Sequence, residues 1–133
     1  ENMEYDNCRV LVVDDMSTMR RIVISLLVEL GFKKELISEA DDGSTAIAFL
    51  EKNTVDFVVT DWNMPQVTGI DLLRHIRKTE ATSKLPVLMV TAEAKREQII
   101  EAAGAGVNNY VVKPFNKKTL GEKISKIFAG LSA

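Results

Sequence analysis

Short β-branched runs alternate with apolar stripes of helical spacing along the chain, and this alternation restricts the possible fold more than any other feature. Residues 9–13 (RVLVV), 57–60 (FVVT) and 87–90 (VLMV) are typical of strands buried on both faces. A weak second strand is predicted at residues 36–40, and a fifth strand at residues 110–112. Five strands alternating with five helical stripes predict an α/β domain: a doubly wound, flavodoxin-like, five-stranded parallel sheet with helices on both faces.

The five predicted helices are defined by apolar residues that recur every three or four positions. Ser17 is predicted to cap the first helix, and Gly31 to end it. The predicted inward-facing residues are Met19, Ile22, Val23, Leu26, Leu30, Ala46, Phe49, Leu50, Ile70, Leu73, Ile76, Ile99, Ala102, Ala103, Leu120, Ile124, Ile127 and Phe128. We assign these stripes to the core, because apolar residues at helical spacing are the ordinary sign of a buried face.

The composition is that of one ordinary globular domain. The chain has 133 residues, 46% of them apolar and 27% charged, with a net charge of −2. We expect one domain over residues 9–131, an N-terminal segment over residues 1–8, and no output domain. Glu1 and Asn2 are interpreted as additions ahead of a native start at Met3. The small negative charge argues against binding to nucleic acid or to an anionic membrane.

Cys8 is the only cysteine in the sequence, so an internal disulfide is excluded. This fits a reducing cytosol. No apolar run has the length of a bilayer span or the flanks of a signal peptide. We therefore expect a cytoplasmic protein without membrane insertion, most simply a monomer.

Polar residues follow four of the predicted strands at the point where each ends. Asp14 and Asp15 follow the first strand, Asp61 the third, Thr91 the fourth and Lys113 the fifth. Ligands of open α/β sheets bind beyond the carboxyl ends of the strands, so these side chains should converge. Each alone has an ordinary alternative, namely a helix cap, a turn residue or a solvated lysine. Their joint placement favours a functional site.

The predicted cluster suits phosphoryl transfer assisted by a metal ion. Three neighbouring carboxylates repel one another, and Mg²⁺, which prefers oxygen ligands, would offset that repulsion. A carboxylate can then form an aspartyl-phosphate, a known type of covalent intermediate. Lys113 and the Thr91 hydroxyl could bind the phosphoryl oxygens.

Five segments together resemble the response-regulator receiver domains of two-component systems, and most closely the CheY-like receivers of bacterial chemotaxis. These segments are residues 12–15 (VVDD), 17–21 (STMRR), 61–65 (DWNMP), 91–94 (TAEA) and 110–115 (YVVKPF). They extend over nearly the whole chain in the order that a doubly wound fold requires. The resemblance implies a response regulator with a receiver fold.

The resemblance also implies a role for each residue of the acidic edge. Asp61 is the phosphoacceptor. Asp15 is the main carboxylate ligand of Mg²⁺, Asp61 and the backbone carbonyl of Asn63 complete the protein ligands, and Asp14 supports the metal through water. Lys113 pairs with the phosphoryl group.

Further roles in a two-state switch follow from the same resemblance. The Lys113–Pro114 bond is expected to be cis, Thr91 to bind a phosphoryl oxygen, and Tyr110 to turn from an outward to an inward rotamer. The phosphoryl environment includes Trp62, Ala92 and Glu93, and Trp62 emission should report metal binding. The implied output face, on the fourth helix, fifth strand and fifth helix, comprises Ala94, Lys95, Arg96, Ile99, Val112, Lys123 and Lys126.

The implied partners are a CheA-like histidine kinase, a FliM-like flagellar motor switch protein and a phosphatase. Met16, Arg96, Lys117 and Lys118 depart from the usual pattern, several of them near the output face. An alternative is therefore a phosphate-sink receiver, or a regulator of a pathway other than flagellar rotation. An aspartate-based phosphatase is disfavoured, because Asn63 cannot transfer a proton. A flavin or nucleotide binder is disfavoured because no glycine-rich phosphate loop is present.

Overall fold

The computed structural model describes residues 5–132, which form five strands and five α-helices in strict alternation. In chain order these are β1 (Val10–Val13), α1 (Ser17–Glu29), β2 (Ile37–Ala40), α2 (Gly43–Lys52), β3 (Phe57–Asp61), α3 (Gly69–Lys78), β4 (Val87–Thr91), α4 (Arg96–Ala105), β5 (Asn109–Val112) and α5 (Lys117–Ser132). Residues 1–4 of the predicted N-terminal segment lie outside the described part. The predicted alternation of strands and helices is confirmed.

The five strands form one parallel sheet with the order β2-β1-β3-β4-β5. Alternate residues of each strand face opposite layers. Val12 and Val59 pack with α1 and α5 on one face, whereas Leu11 and Val58 pack with α2, α3 and α4 on the other. Both faces of the central strands are covered, which explains why their sequences are continuously apolar. The doubly wound prediction is confirmed.

The starts of α2 and α3 use side-chain oxygens to satisfy free backbone N–H groups. Asp42 with Thr45 begins α2, and Thr68 with Asp71 begins α3, each pair as a capping box. The predicted Ser17 cap of α1 is wrong, because Ser17 is already helical and the cap position is Met16.

The inward faces of α1 and α4 differ from the predicted stripes at single positions. Leu27 is fully buried in α1, whereas Ile22 is 47% exposed. Since Leu27 lies one helical turn after Val23, the buried line runs through these two residues and leaves Ile22 at its margin. In α4, Ala102 is buried and Ala103 is exposed. Among the helices formed by residues 5–132, none combines the length and apolarity needed to cross a bilayer.

A cluster of aromatic side chains lies at the amino-terminal edge of the sheet. The rings of Tyr5 and Phe32 stack with their centroids 4.2 Å apart, and Phe57 meets Phe128 edge to face at 5.4 Å. Tyr5, Phe32 and Phe57 are all buried. Tyr5 belongs to the predicted N-terminal segment, so this segment contributes a side chain to the core of the domain.

Candidate functional site

The carboxyl-terminal edge of the sheet brings together three acids and a lysine from three strand ends. Asp14 and Asp15 follow β1, Asp61 is the last residue of β3, and Lys113 follows β5. Each of the three acids offers an oxygen within 4.8 Å of the others. The Lys113 Nζ atom lies 3.0 Å from Asp61 Oδ1 and 3.9 Å from Asp14 Oδ2. Side chains separated by up to about a hundred positions in the chain therefore form one charged cluster.

The three carboxylates differ in their access to water. Asp14 and Asp61 are 3% and 5% exposed, whereas Asp15 is exposed. The Asp14 carboxylate accepts a hydrogen bond from the Met16 N–H at 2.9 Å. The Asp14 carboxylate thereby satisfies the backbone N–H of Met16, the residue at the cap position of α1, whose own side chain makes no capping bond.

Burial sets the ionisation of the two inner acids. It raises the pKa of the Asp61 carboxyl, and the adjoining Lys113 ammonium opposes that rise. It also raises the pKa of Asp14, where the Met16 N–H opposes the rise and the Asp61 charge adds to it. The ionised cluster therefore carries unfavourable charge that a bound cation would relieve.

Lys113 is placed by its backbone as well as by its charge. Its N–H donates to the Thr91 carbonyl oxygen at 2.8 Å, which extends the pairing of β4 and β5 by one step. The Lys113–Pro114 peptide bond is cis, as the sequence resemblance implies. The Lys113 ammonium lies beside the carboxylate of Asp61.

The Thr91 hydroxyl is directed into its own loop. Thr91 is 4% exposed, and its Oγ1 atom donates to the Glu93 carbonyl oxygen at 2.8 Å. The Glu93 side chain is exposed, and its carboxylate lies 3.4 Å from Lys95 Nζ. Ala92, between Thr91 and Glu93 in the chain, is also exposed. Thr91 thus lies at the acidic edge with its hydroxyl bonded to the start of the loop before α4.

Trp62 and Tyr110 pack on the face of the sheet opposite to Asp61. Both are half-buried against the cluster that α2, α3 and α4 cover. The alternation of side chains along β3 predicts this orientation for Trp62. The Lys123 Nζ atom lies 4.9 Å from the centroid of the Tyr110 ring, a distance typical of a cation–π contact.

Asn63 and the residues of the implied output face differ in their exposure. Asn63 is exposed in the loop from β3 to α3, two residues after Asp61. The output-face residues extend from the loop before α4 through β5 to α5. Of these, the half-buried ones are Ala94, Ile99, Val112 and Lys123, and the exposed ones are Lys95, Arg96 and Lys126.

Arg20 is a part of the site that sequence reasoning missed. Its side chain is 15% exposed, and it donates to the Asp14 carbonyl oxygen at 2.6 Å and to the Glu39 carboxylate at 2.7 Å. The guanidinium therefore ties the end of β1 to α1 and β2. An arginine in the first turn of a helix that follows an acid pair was the available signal.

The donor set fits a hard divalent cation. Two inner carboxylates and one exposed carboxylate supply oxygens at close range, and the exposed side leaves room for the waters that Mg²⁺ usually retains. Burial, with a smaller contribution from the neighbouring carboxylates, raises the pKa values of the inner acids, and a bound cation would favour their ionised forms. Asp14, Asp15 and Asp61 therefore form an acidic pocket that could hold Mg²⁺.

Comparisons with known proteins agree with this geometry. Residues 10–125 match the sequence profile of the response regulator receiver domain. The chain is 63% identical over 125 residues to the chemotaxis protein CheY-3 of Vibrio cholerae, covering 94% of this chain and 95% of that protein. It is 63% identical over 120 residues to the chemotaxis protein CheY of Pseudomonas aeruginosa, covering 90% and 95% respectively.

Solved structures give the same assignment. The Vibrio cholerae chemotaxis protein CheY4 superposes with a TM-score of 0.82 at 32% identity, over 90% of this chain and 98% of that one. A putative response regulator from Chloroflexus aurantiacus gives 0.83 at 28% identity, over 92% and 99%. The chain therefore belongs to the response regulator receiver domain family and is closely related to the CheY chemotaxis proteins.

Proposed function

We propose that Asp61 accepts a phosphoryl group from a histidine kinase in a Mg²⁺-dependent reaction. The observation that carries the proposal is the 3.0 Å approach of Lys113 Nζ to Asp61 Oδ1 inside a cluster of three carboxylates. Asp61 is the member of the cluster that pairs most closely with a cation. It lies at the end of a central strand, where the backbone fixes its direction.

In the proposed reaction, an oxygen of Asp61 forms a bond to phosphorus while the bond from phosphorus to the kinase imidazole nitrogen breaks. The electron pair of that bond stays with the nitrogen, which then takes a proton. Asp14, Asp15, Asp61 and the Asn63 carbonyl would hold Mg²⁺, which when bound neutralises charge on the transferred group. The Lys113 ammonium offsets negative charge on the phosphoryl oxygens from the other side.

The response to phosphorylation is proposed to begin at Thr91. Its hydroxyl, now bonded to the Glu93 carbonyl oxygen, would turn to a phosphoryl oxygen and release that carbonyl. The loop before α4 would then move inward, and Tyr110 would leave the Lys123 ammonium for an inward rotamer. The phosphoryl group shifts the population only because it binds this second arrangement more tightly.

The proposed partners are a CheA-like kinase, a FliM-like motor switch protein and a phosphatase, with the protein acting in the cytoplasm. The proposal is supported by the names of the relatives, which are chemotaxis proteins. The switch protein would bind the face formed by α4, β5 and α5. Asn63 cannot act as a general acid or base in hydrolysis, so the aspartyl-phosphate should persist and be lost only slowly without a phosphatase.

The test is intact mass after incubation with Mg²⁺ and acetyl phosphate. We expect wild type to gain one phosphoryl group and Asp61→Asn to gain none. Asp41→Asn is the matched control, since Asp41 is an exposed acid at the same edge whose contact with Thr45 an amide oxygen preserves. Uptake by Asp61→Asn, or none by wild type with its cognate kinase, would refute the assignment.

A separate measurement tests the chemotaxis partner. Phosphorylated protein should bind a motor-switch peptide more tightly than unphosphorylated protein. Lys113→Ala should retain Mg²⁺ binding but lose this difference, because the ammonium that links the phosphoryl group to β5 is absent. Equal binding by both forms of the wild type would instead favour the phosphate-sink function.

A further inference from the structure

The loop of residues 62–68 joins the proposed phosphoacceptor to α3 and is packed between two helix starts that are both glycine. We propose that Gly69, supported by Gly43, is a positioning residue for Asp61 and for the carbonyl of Asn63. This inference rests on the proposed function of Asp61. The two glycines are the first residues of α3 and α2 respectively.

Gly69 packs directly on the backbone of the phosphoacceptor. Its N–H donates to the Trp62 carbonyl oxygen at 2.9 Å. A Cβ atom at position 69 would overlap the carbonyl oxygen of Asp61 and would lie 2.9 Å from Trp62 Cα and 2.9 Å from Met89 Sδ. Two of these three atoms are backbone, so they cannot rotate away as a flexible side chain would. Any side chain at position 69 must displace the end of β3 or the start of α3.

The end of β3 is also held from its other sides. The Thr60 hydroxyl donates to the same Asp61 carbonyl oxygen at 3.0 Å, and the Trp62 N–H donates to the Val90 carbonyl oxygen at 2.9 Å. The peptide units before and after Trp62 are therefore fixed by the sheet and by Gly69 together. A shift imposed at position 69 would therefore displace the backbone of Asp61. Its carboxylate, which lies 3.0 Å from Lys113 Nζ, would move with it.

Gly43 fixes the far end of the loop. A Cβ atom at position 43 would overlap Val67 Cγ1 and would lie 2.7 Å from both the Cβ atom and the carbonyl oxygen of Val67. The preceding residue, Gln66, has a φ of 64°, which residues other than glycine adopt rarely. The path of the loop is therefore imposed by its contacts with the two helix starts and not by local preference.

Space, and not backbone conformation, explains glycine at position 69. Gly69 lies in a helix, where alanine is intrinsically favoured over glycine. A Cβ atom at position 104, inside α4, would meet no atom within 4 Å beyond the adjoining residues and backbone of its own helix, so Gly104→Ala is a matched control. Alanine should stabilise the helix at position 104, whereas at position 69 the contacts with Asp61 and Trp62 should dominate.

The experiment compares wild type, Gly69→Ala and Gly104→Ala as full chains. Mg²⁺ is titrated with Trp62 emission and with the thermal midpoint as readouts, and phosphorylation by acetyl phosphate is timed at saturating Mg²⁺. For folded Gly69→Ala we expect an apparent Kd for Mg²⁺ about tenfold weaker and phosphorylation about a hundredfold slower. Gly104→Ala should match wild type in both. A folded Gly69→Ala protein with wild-type titration and rate would overturn the proposal.

A second pair of variants decides the matter if Gly69→Ala does not fold. Gly43→Ala should slow phosphorylation and weaken Mg²⁺ binding, and Val67→Gly in the same chain should restore part of both by removing two of the three obstructing atoms. Wild-type behaviour of Gly43→Ala, or no recovery in the double variant, would refute the loop-positioning role. If wild type takes up no phosphoryl group, the proposed function fails, and the Mg²⁺ titrations alone decide the positioning role.

Discussion

The two edges of the sheet are built on opposite principles. At the amino-terminal edge, Tyr5, Phe32, Phe57 and Phe128 form an aromatic cluster with three of its four members buried and no formal charge. At the carboxyl-terminal edge, the buried carboxylates of Asp14 and Asp61 each lie within 4 Å of the Lys113 ammonium. The first arrangement stabilises the fold by removing apolar area from water. The second places like charges together in poor contact with water, which disfavours the folded state.

This contrast shows how the domain can maintain a reactive site. Unfavourable charge at one edge is tolerated because packing elsewhere exceeds it, and functional sites commonly carry such strain. The acidic edge should therefore respond strongly to ions and pH, whereas the aromatic edge should respond to neither. The following predictions test that division in order of decreasing effect.

The largest effect is expected at the aromatic edge. Phe57 is fully buried, so Phe57→Ala should lower the free energy of unfolding by about 3–5 kcal/mol, through lost burial and a residual cavity. Urea unfolding measures this loss, and it should be the same with and without Mg²⁺. Ile100→Ala is the control, because Ile100 is 59% exposed, and its change should stay within about 0.5 kcal/mol. Comparable losses in both variants would contradict a dominant aromatic edge.

The second effect is stabilisation of the acidic edge by Mg²⁺. At a concentration of one hundred times its Kd, the ion should raise the free energy of unfolding by about 2.7 kcal/mol, because it binds only the folded cluster. Urea unfolding with Mg²⁺ and with a chelator measures the gain, and differential scanning fluorimetry should show it as a higher thermal midpoint. Asp15→Asn, which removes the exposed carboxylate of the cluster, should lose most of it. If Mg²⁺ stabilises Asp15→Asn as much as wild type, Asp15 is not a ligand of the ion.

The third effect concerns the buried acid that follows β1. Burial raises the pKa of Asp14, so its ionised form destabilises the fold, and that destabilisation fades as pH falls through the raised pKa. With a chelator present, the free energy of unfolding of Asp14→Asn should therefore exceed that of wild type by about 1 kcal/mol at neutral pH. The amide oxygen at position 14 can still accept the hydrogen bond from the Met16 N–H. The advantage should disappear in acid. A variant less stable than wild type at pH 7 would show that Lys113 outweighs burial at this position.

Sequence reasoning reached the acidic edge more fully than the aromatic one, for a physical reason. Parallel strands must place their carboxyl ends at one edge, so Asp14, Asp61, Thr91 and Lys113 could be brought together from strand positions alone. The burial of Tyr5 could not be predicted in this way, because it depends on contact with Phe32, which lies far along the chain and outside any regular element.

The errors inside the acidic edge have a similar origin. Ser17 has the residue type of a cap, but it is already the first residue of α1 and therefore lies one position beyond the cap. Arg20 and Gly69 act through backbone atoms of their neighbours, by donating to the Asp14 carbonyl or by packing on that of Asp61. Such roles depend on distances between backbones, which apolar periodicity does not encode.

The smallest effect comes from an acid at the same edge whose pKa shifts the other way. The Asp42 pKa is lowered, first by the Thr45 N–H and then by the Ser44 hydroxyl, because both donate to its carboxylate at the start of α2. The stabilisation from this cap is present above the pKa of Asp42 in the unfolded chain and is lost as pH falls through the lowered pKa. Asp42→Ala should cost about 0.5 kcal/mol at pH 7, and the difference from wild type should shrink in acid.

Asp42→Asn separates the cap from its charge, since an amide oxygen can still accept from the Thr45 N–H. It should retain most of the stability at pH 7. Urea unfolding of wild type, Asp14→Asn and Asp42→Asn across the acidic range then compares two carboxylates at one edge. At neutral pH, Asp14→Asn should be more stable than wild type and Asp42→Asn slightly less stable, because burial disfavours the charge of Asp14 and hydrogen bonds favour that of Asp42. Both differences in the free energy of unfolding should become smaller in acid. If the two stability differences have the same sign, the contrast between the burial of Asp14 and the hydrogen bonding of Asp42 does not determine the effect of their charges on stability.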